Sequence, residues 1–391
     1  MGRRRAGLIV LGLAALFLAW ALPRWTPRPS PLAPGGQIDL TQAFETATSG
    51  YERAEAARSF SFPADHGPHP GTASEWWYVT GNLRTAQGRR FGYEVTFFRV
   101  ALAPTLPPRR SAWATRQIYM AHLAVTDPEG RRFHAFERFN RAALDMAGAH
   151  AEPLRIWLDD WALSARPGAD PSLPTPPLAL RAAQGPVALE LELDARKPPV
   201  LQGAAGLSRK GPAPGDASYY YSLTRLATRG TLTLDGVRFA VNGDSWMDRE
   251  WGTSTLGPER AGWDWFGVQL ADGSELMFCR IRRRDGTPNP FDYGVWVSPD
   301  GQAETLDARA VEIHETGRWR SPHSGISYPS GWTLRLPARQ LSLHLTPLLP
   351  DQELNLAVRY WEGAVEAAGE LAGHDIRGHG YVELTGYGAT P

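Results

Sequence analysis

Turn signals recur along this chain at intervals of about ten residues, and they separate short runs of apolar or alternating residues. Clear examples are Asp127-Pro128-Glu129-Gly130, Asp272-Gly273 and Asp300-Gly301. The 40 glycines and 33 prolines supply many such breaks. Beyond residue 60 no long helical period interrupts the pattern. Short strands joined by tight turns indicate an all-β fold, either an antiparallel sandwich or a barrel.

The length of 391 residues suggests about two domains. We expect one β domain over residues 60–241 and a second over residues 242–391. The halves share related segments, because Glu75-Trp76-Trp77-Tyr78 near the start of the first resembles Trp361-Glu362-Gly363 near the end of the second. This similarity favours two related barrels.

The N-terminus has the pattern of an export signal. Three arginines at positions 3–5 precede an unbroken apolar run from Ala6 to Leu22, so residues 1–22 read as a signal peptide or signal anchor. No small-x-small cleavage site precedes Pro23, and whether the segment is removed stays open. The arginines would remain cytoplasmic, which places the body in the periplasm or another extracytoplasmic space, held at the inner membrane if the segment is uncleaved.

Residues 23–59 link this segment to the β domains. The first part is a Pro-rich tether. A short helix is predicted within residues 38–58, because Leu40, Phe44, Ala47 and Tyr51 are spaced for one face.

Charge and metal-ligand patterns exclude some functions. The net charge is +0, which gives no electrostatic case for nucleic acid. The only cysteine, Cys279, cannot form an intramolecular disulfide and reads as a small core residue. The close pairs His66/His69 and His374/His379 lack the companion ligands of a zinc site, so no metal site is predicted.

The stretch from Asn242 to Phe266 has the composition of a ligand pocket. It contains four tryptophans interleaved with four acids and one arginine: Trp246, Trp251, Trp263, Trp265, Asp244, Asp248, Glu250, Asp264 and Arg249. In an extended segment Trp246, Asp248 and Glu250 share one face. Indoles beside carboxylates suit a pocket that holds an apolar molecule and moves a proton. The alternative is an aromatic-rich sheet whose charges pair with one another, with Arg249 bridging its acidic neighbours.

Three groups of motifs resemble those of the AttH-like family, which includes the carotenoid 1,2-hydratases. They are His69-Pro70 with residues 75–83 (EWWYVTGNL), residues 245–251 (SWMDREW) with 262–266 (GWDWF), and residues 360–363 (YWEG) with 380–387 (GYVELTGY). The resemblance implies two lipocalin-like β-barrel domains, extracytoplasmic placement and association with ABC-transport components. Arg249 and Glu250 differ from the residues that follow the aspartate in carotenoid hydratases, which points to the broader lipocalin-like branch.

A hydratase of that type adds water to a terminal isoprenoid double bond without a cofactor. In this hypothesis Asp248 is the acid, its pKa raised by apolar surroundings. Trp246, Trp251, Trp263 and Trp265 would line the position of the carbocation. Glu250 or Asp244 would take the proton from water.

The favoured interpretation is a binding protein that holds a long apolar ligand, an isoprenoid or lipid, within a barrel without reaction. A glycoside hydrolase has only the tryptophan and carboxylate pattern in its favour. Glu75, Trp76, Trp77 and His122 are further candidate ligand-binding residues, although an interdomain salt bridge is the favoured role for Glu75. His122 lies on an apolar strand, where a hydrogen-bonded core imidazole is more common than a catalytic base.

Overall fold

The computed structural model describes residues 36–43, 49–105, 110–170, 172–253, 256–257 and 259–388. The expected signal or anchor at residues 1–22 lies outside these residues, as do Phe44 and Ala47 of the expected helix. What the structure describes of that helix is one turn, α1 (Leu40–Ala43). None of the helices in the described ranges has the length and hydropathy needed to cross a bilayer.

β-Strands make up most of the described chain, which confirms the all-β prediction. In chain order they are β1 (Ile38–Asp39), β2 (Ser74–Arg84), β3 (Arg90–Ala101), β4 (Gln117–Asp127), β5 (Arg132–Arg141), β6 (Ala147–Ala151), β7 (Leu154–Leu158), β8 (Trp161–Ala165), β9 (Leu178–Gln184), β10 (Val187–Ala195), β11 (Val200–Leu201), β12 (Leu207–Arg209), β13 (Ala217–Leu234), β14 (Val237–Gly252), β15 (Arg260–Leu270), β16 (Glu275–Arg283), β17 (Tyr293–Val297), β18 (Ala303–Leu306), β19 (Glu312–Glu315), β20 (Arg318–Arg320), β21 (Ser327–Pro329), β22 (Trp332–Leu336), β23 (Leu341–Pro347), β24 (Glu353–Asn355), β25 (Val358–Leu371) and β26 (His374–Leu384). Two single turns of 3₁₀ helix, Ala64–His66 and Pro337–Arg339, complete the elements.

The first sheet is a nearly closed antiparallel barrel. Its strands follow the order β5-β4-β3-β2-β14-β13-β10-β9-β8-β7-β6, and β11 and β12 also pair with β13. The two end strands approach each other, and Asn140 on β5 donates a hydrogen bond to Asp159 next to β7. Strand β10 shows why the sheet curls around a core: its residues alternate between buried leucines and exposed or half-buried polar side chains.

The second sheet is a smaller barrel of the same kind. Its order is β18-β17-β16-β15-β26-β25-β23-β22-β19, with β1 and β24 pairing to β25. Its interior holds Trp332, Trp361 and Phe266 among buried leucines and valines. Strands β20 and β21 form a separate hairpin.

Strand β14 runs across the predicted domain boundary at 241/242. It pairs with β13 between Val237 and Gly252 and with β2 between Asn242 and Gly252, so the chain leaves the first sheet between Gly252 and Arg260. The run Asn242-Gly243-Asp244 has the composition of a turn. The structure has no turn here. Gly243 instead allows β14 to approach β2 closely, because a Cβ at this position would lie 2.0 Å from the Asn82 carbonyl oxygen.

The described residues from Gln37 onward form one compact unit, in which the barrels pack by their outer faces. Tyr78 and Trp246 of the first barrel join Trp265 and Tyr381 of the second in one buried cluster. A neighbouring cluster brings Phe98 against Tyr360. The candidate site lies in this layer between the barrels.

Candidate functional site

A cavity of about 100 Å³ opens in the layer between the two barrels. Eight of its eighteen described lining residues are aromatic: Trp76, Tyr78, Phe98, Tyr220, Trp263, Trp265, Tyr293 and Tyr360. Its charged or acidic lining residues are Lys210, Asp248, Glu250 and Glu383. Both barrels contribute to each group, so the site exists only where they meet.

Strand alternation explains which residues of β14 reach the cavity. Asp248 and Glu250 lie on its outward face, and Trp246 on the same face packs against Trp265 with ring centroids 5.8 Å apart. Met247 and Trp251, on the inward face, belong to the core of the first barrel. On β15 the same rule places Trp263 and Trp265 on the cavity side.

Asp248 is a buried carboxyl held by three hydrogen bonds. Tyr220 Oη donates to Oδ2 at 2.5 Å, while Ser222 Oγ and Trp246 Nε1 donate to Oδ1 at 2.5 and 2.6 Å. Burial raises the pKa of Asp248, the three donors oppose this, and the result is about 7. A carboxyl with that pKa exchanges its proton readily near neutral pH.

Tyr220 links Asp248 to the second barrel. Its hydroxyl accepts a hydrogen bond from Trp265 Nε1 at 3.1 Å while donating to Asp248. This orientation fixes the plane of the Trp265 ring beside the carboxyl.

Glu250 forms an ion pair with Lys210, whose Nζ lies 2.7 Å from Glu250 Oε1. Ser218 Oγ donates a hydrogen bond to the same oxygen. Burial lowers the pKa of Lys210, but the attraction of Glu250 outweighs it, and the pKa is raised. Lys210 therefore presents a positive charge to the cavity.

Glu383 is a second acid of the cavity, half-buried and contributed by the second barrel. Trp263 Nε1 donates to its Oε1 at 3.1 Å. Burial, opposed by that hydrogen bond and reinforced by the neighbouring acids, raises the pKa of Glu383 to about 8. The cavity thus combines two acids that hold protons near neutral pH with an ion-paired carboxylate.

Several residues predicted to form the site lie elsewhere. Arg249 points into the first barrel and pairs with Glu75, which also pairs with Arg99; all three are fully buried. Arg249 therefore does not bridge Asp248 and Glu250, because alternation turns it to the other side of the strand. Glu75 neither faces the cavity nor joins the two barrels, since its partners belong to the first sheet.

The tryptophans Trp77 and Trp251 are also inside the first barrel. The Arg249 guanidinium lies 4.0 Å from the Trp77 ring centroid. Trp251 stacks on His69 with centroids 3.8 Å apart and planes at 4°. Both indoles pack against the buried ion-pair cluster and not against the cavity.

Asp244 and His122 lie near other parts of the inter-barrel layer. Asp244 pairs with Arg225 at 3.1 Å and lines a separate cleft, roughly 13 Å along the strand from Asp248. His122 Nδ1 lies 2.7 Å from Tyr360 Oη behind the cavity wall, and burial lowers the pKa of His122 to about 3. This geometry agrees with a hydrogen-bonded core imidazole.

Sequence reasoning missed Tyr220, Lys210 and Glu383. Glu383 stands in the motif of residues 380–387, and the hydrophobic alternation of that strand could have placed it outward. Lys210 follows the short strand β12 in a glycine- and proline-rich region without periodicity, so no local pattern indicated it. Among the described residues, no cluster of three or more His, Cys, Asp or Glu could hold a metal ion.

Comparison with known proteins places this geometry among related folds. A family model described as AttH-like matches residues 53–387. The crystal structure of an AttH protein from Nitrosomonas europaea is 33% identical, with a TM-score of 0.75 over 86% of this chain and 99% of that chain. A comparison with curated protein sequences gave no significant match.

Two further crystal structures share the fold at low sequence identity. Kievitone hydratase from Nectria haematococca is 17% identical, with a TM-score of 0.63 over 86% of this chain and 95% of that chain. CghA is 12% identical, with a TM-score of 0.51 over 87% of this chain and 97% of that chain. These likenesses concern the arrangement of the two barrels.

Proposed function

Because this chain belongs to the AttH-like family, we propose that it binds an apolar, alkene-bearing ligand between its two lipocalin-like barrels and adds water to it. The observation that carries the proposal is the state of Asp248. This buried carboxyl borders a cavity walled by indoles, and burial raises its pKa to about 7. An acid in such surroundings can protonate carbon, the most demanding step of alkene hydration.

The first step transfers the Asp248 proton to one alkene carbon. The carboxyl becomes a carboxylate, and the π electrons form the new C–H bond, which leaves a carbocation on the neighbouring carbon. Trp76, Trp263 and Trp265 line the cavity, and an indole face beside a cation stabilises it by about 0.5–2 kcal/mol.

The second step adds water to the cation. Glu250 lines the same cavity and accepts the proton that the attacking water releases, so the product is an alcohol. That proton returns to Asp248 through solvent, and the cycle consumes only the alkene and water. No redox partner is required.

The fold is compatible with this reaction. One of its structural neighbours is named a hydratase, kievitone hydratase. At 17% identity that neighbour supports the architecture, and the chemistry proposed for this chain depends on its own residues.

A carrier of isoprenoids or lipids is the second candidate. Three donors already satisfy both oxygens of Asp248, an arrangement that also serves a binding protein in which the carboxyl is only structural. In that case the same indoles bind the ligand and no bond changes.

We further propose that the protein acts outside the cytoplasm, together with ABC-transport components. The support is the arginine and apolar pattern of residues 1–22 and the family resemblance. Cell fractionation should find the full chain in the periplasmic or membrane fraction and a chain lacking residues 1–22 in the cytosol. Equal distribution of the two chains would contradict export.

Turnover of an acyclic isoprenoid tests the reaction. The purified protein is incubated with lycopene or farnesol, and mass spectrometry measures the gain of one water. We expect Asp248→Asn to abolish the gain while ligand binding persists. Asp244→Asn is the matched control, because it changes an aspartate on the same strand that lies outside the cavity.

The result separates the two candidates. Binding without water addition by the wild-type protein supports the carrier and rejects the hydratase. Water addition that survives in Asp248→Asn rejects Asp248 as the acid.

A further inference from the structure

Lys210 brings a positively charged hydrogen-bond donor into a cavity that is lined by aromatic side chains and three acids. Its backbone nitrogen donates to the Asp216 carbonyl oxygen at 2.7 Å, which closes a loop ahead of β13 and fixes the position of the lysine. Its side chain lines the cavity and is 16% exposed. The ammonium group therefore has a fixed position in the cavity wall.

The ammonium has more donors than protein acceptors. A lysine ammonium carries three N–H donors. Among the residues that the structure describes, the acceptor beside Lys210 Nζ is Glu250 Oε1 at 2.7 Å. Two N–H groups are thus left for the contents of the cavity.

This excess of donors disfavours a pure hydrocarbon as the ligand. A hydrocarbon that filled the cavity would displace water from the ammonium and return no hydrogen bond, and desolvating an unpaired donor is costly. A ligand with an oxygen acceptor would replace the displaced water. The indoles would still hold its apolar part.

We propose that the ligand is an oxygenated isoprenoid whose carbonyl, phenolic or carboxylate oxygen is bound by Lys210. Lys210 is then a specificity-determining residue beside Glu250, and Asp248 acts two residues away on the same strand face. Asp248 and Glu250 are two residues apart on one strand face, a separation of roughly 7 Å. The bound oxygen therefore lies about that far from the carbon that is protonated, a placement that rests on the proposed function.

Three isoprenoids with the same hydrocarbon skeleton test the proposal: farnesene, farnesol and farnesoic acid. Isothermal titration calorimetry of the full chain measures their dissociation constants at pH 7. We expect the wild-type protein to bind farnesoic acid at least about tenfold more tightly than farnesene, with farnesol between them. Lys210→Met should remove most of that difference and leave the affinity for farnesene unchanged or higher.

Two further variants control for the loss of a buried lysine in general and for misfolding of the single variant. Lys197→Met removes a lysine that pairs with Glu275 away from the cavity, and the preference for farnesoic acid should persist in it. Lys210→Met combined with Glu250→Gln removes both charges together, so no buried carboxylate is left without its partner if the single variant fails to fold. Circular dichroism confirms the fold of each variant.

Equal binding of farnesene and farnesoic acid by the wild-type protein would overturn the proposal. So would a preference that persists in both Lys210 variants. These readouts do not involve turnover. Selective binding without water addition would therefore support recognition by Lys210 and reject the hydratase. Unselective binding with water addition would support the hydratase and reject recognition by Lys210.

Discussion

At the scale of single residues, neighbours on β14 have opposite electrostatic roles. Asp248 faces the layer between the barrels, where burial raises its pKa to about 7. Arg249 faces the first barrel and pairs with Glu75. The alternation of a strand separates the two side chains, so the arginine does not hold Asp248 in its ionised form.

Asp248 should lower the stability of the protein as pH rises. Its pKa is about 7 in the folded state against a usual value of 3.8, so its contribution is complete below about pH 4 and is lost as pH rises to about 7. At about 1.4 kcal/mol per pH unit the loss is of the order of 4 kcal/mol. We expect Asp248→Asn to raise the free energy of unfolding at pH 8 by 1–4 kcal/mol, measured by urea denaturation at pH 5 and pH 8.

The matched control for that measurement is Asp244→Asn. This variant should retain the pH dependence of the wild-type protein between pH 5 and pH 8. If Asp248→Asn also retained it, the carboxyl of Asp248 would be ionised at neutral pH and could not serve as the acid.

The contribution of Glu75 to stability has the opposite pH dependence to that of Asp248. Burial alone would raise the pKa of Glu75, but Arg249, His69 and Arg99 outweigh it and hold the pKa well below its usual range. Its contribution to stability is present above about pH 4.5 and is lost as pH falls below that value. Glu75→Gln should cost about 3–5 kcal/mol at pH 7, because it leaves two buried guanidinium groups without their carboxylate.

Chemical denaturation measures that cost, and binding of farnesol serves as the control. Because Glu75 lies outside the cavity, the affinity of the folded variant should match that of the wild-type protein. Reduced affinity with unchanged stability would assign Glu75 to the ligand site.

At the scale of elements, a close contact between β3 and β25 sets the spacing of the barrels. A Cβ on Gly92 would lie 2.4 Å from the Cβ of Ala364. Gly92 lies on the outer face of β3, and Ala364 lies on the outer face of β25. The small size of both residues therefore allows the two sheets to approach.

A double-mutant cycle tests this contact. Gly92→Ala should destabilise the protein by about 1–3 kcal/mol through overpacking, although alanine is otherwise no worse than glycine in a strand. Ala364→Gly in the same chain should recover part of the loss, which thermal denaturation would detect as a partial return of Tm. Additive effects of the two substitutions would show that the strands do not meet at this point.

Local patterns predicted the elements well and their partners less well. Alternation predicted the strand that carries Trp263 and Trp265, and the motifs predicted the AttH-like family, which the family model confirms. Trp251 and Asp248 are three residues apart on β14, so alternation already places them on opposite faces of the strand. Trp251 was assigned to the site only because it is close to Asp248 in the sequence. Glu383 reaches the cavity because β26 pairs beside β15, a long-range pairing that no local pattern encodes.

At the scale of the whole molecule, the two barrels share one buried layer. The cavity takes Asp248 from the first barrel and Glu383 from the second. Neither barrel alone contains the site, and each would expose apolar side chains of this layer on separation. The two sheets therefore depend on each other for both stability and function.

Because the two barrels depend on each other, they should unfold together. We expect calorimetry of the full chain to give one transition, with agreement between the calorimetric and van't Hoff enthalpies. Gly92→Ala is the informative comparison, because loosening the contact between the barrels should broaden the transition. Two resolved transitions in the wild-type protein would mean that the barrels fold independently.

The first described residues of the chain join the fold beside the cavity. Strand β1 is held to β25 through two residue pairs, Ile38 with Val358 and Asp39 with Arg359, and Leu40 and Thr41 directly after it line the cavity. A pull on the chain ahead of Gln37 would be transmitted first to this short attachment. If the leader is tethered to a surface, mechanical tension there would act on the part of the cavity wall that Leu40 and Thr41 form before it disturbed either barrel.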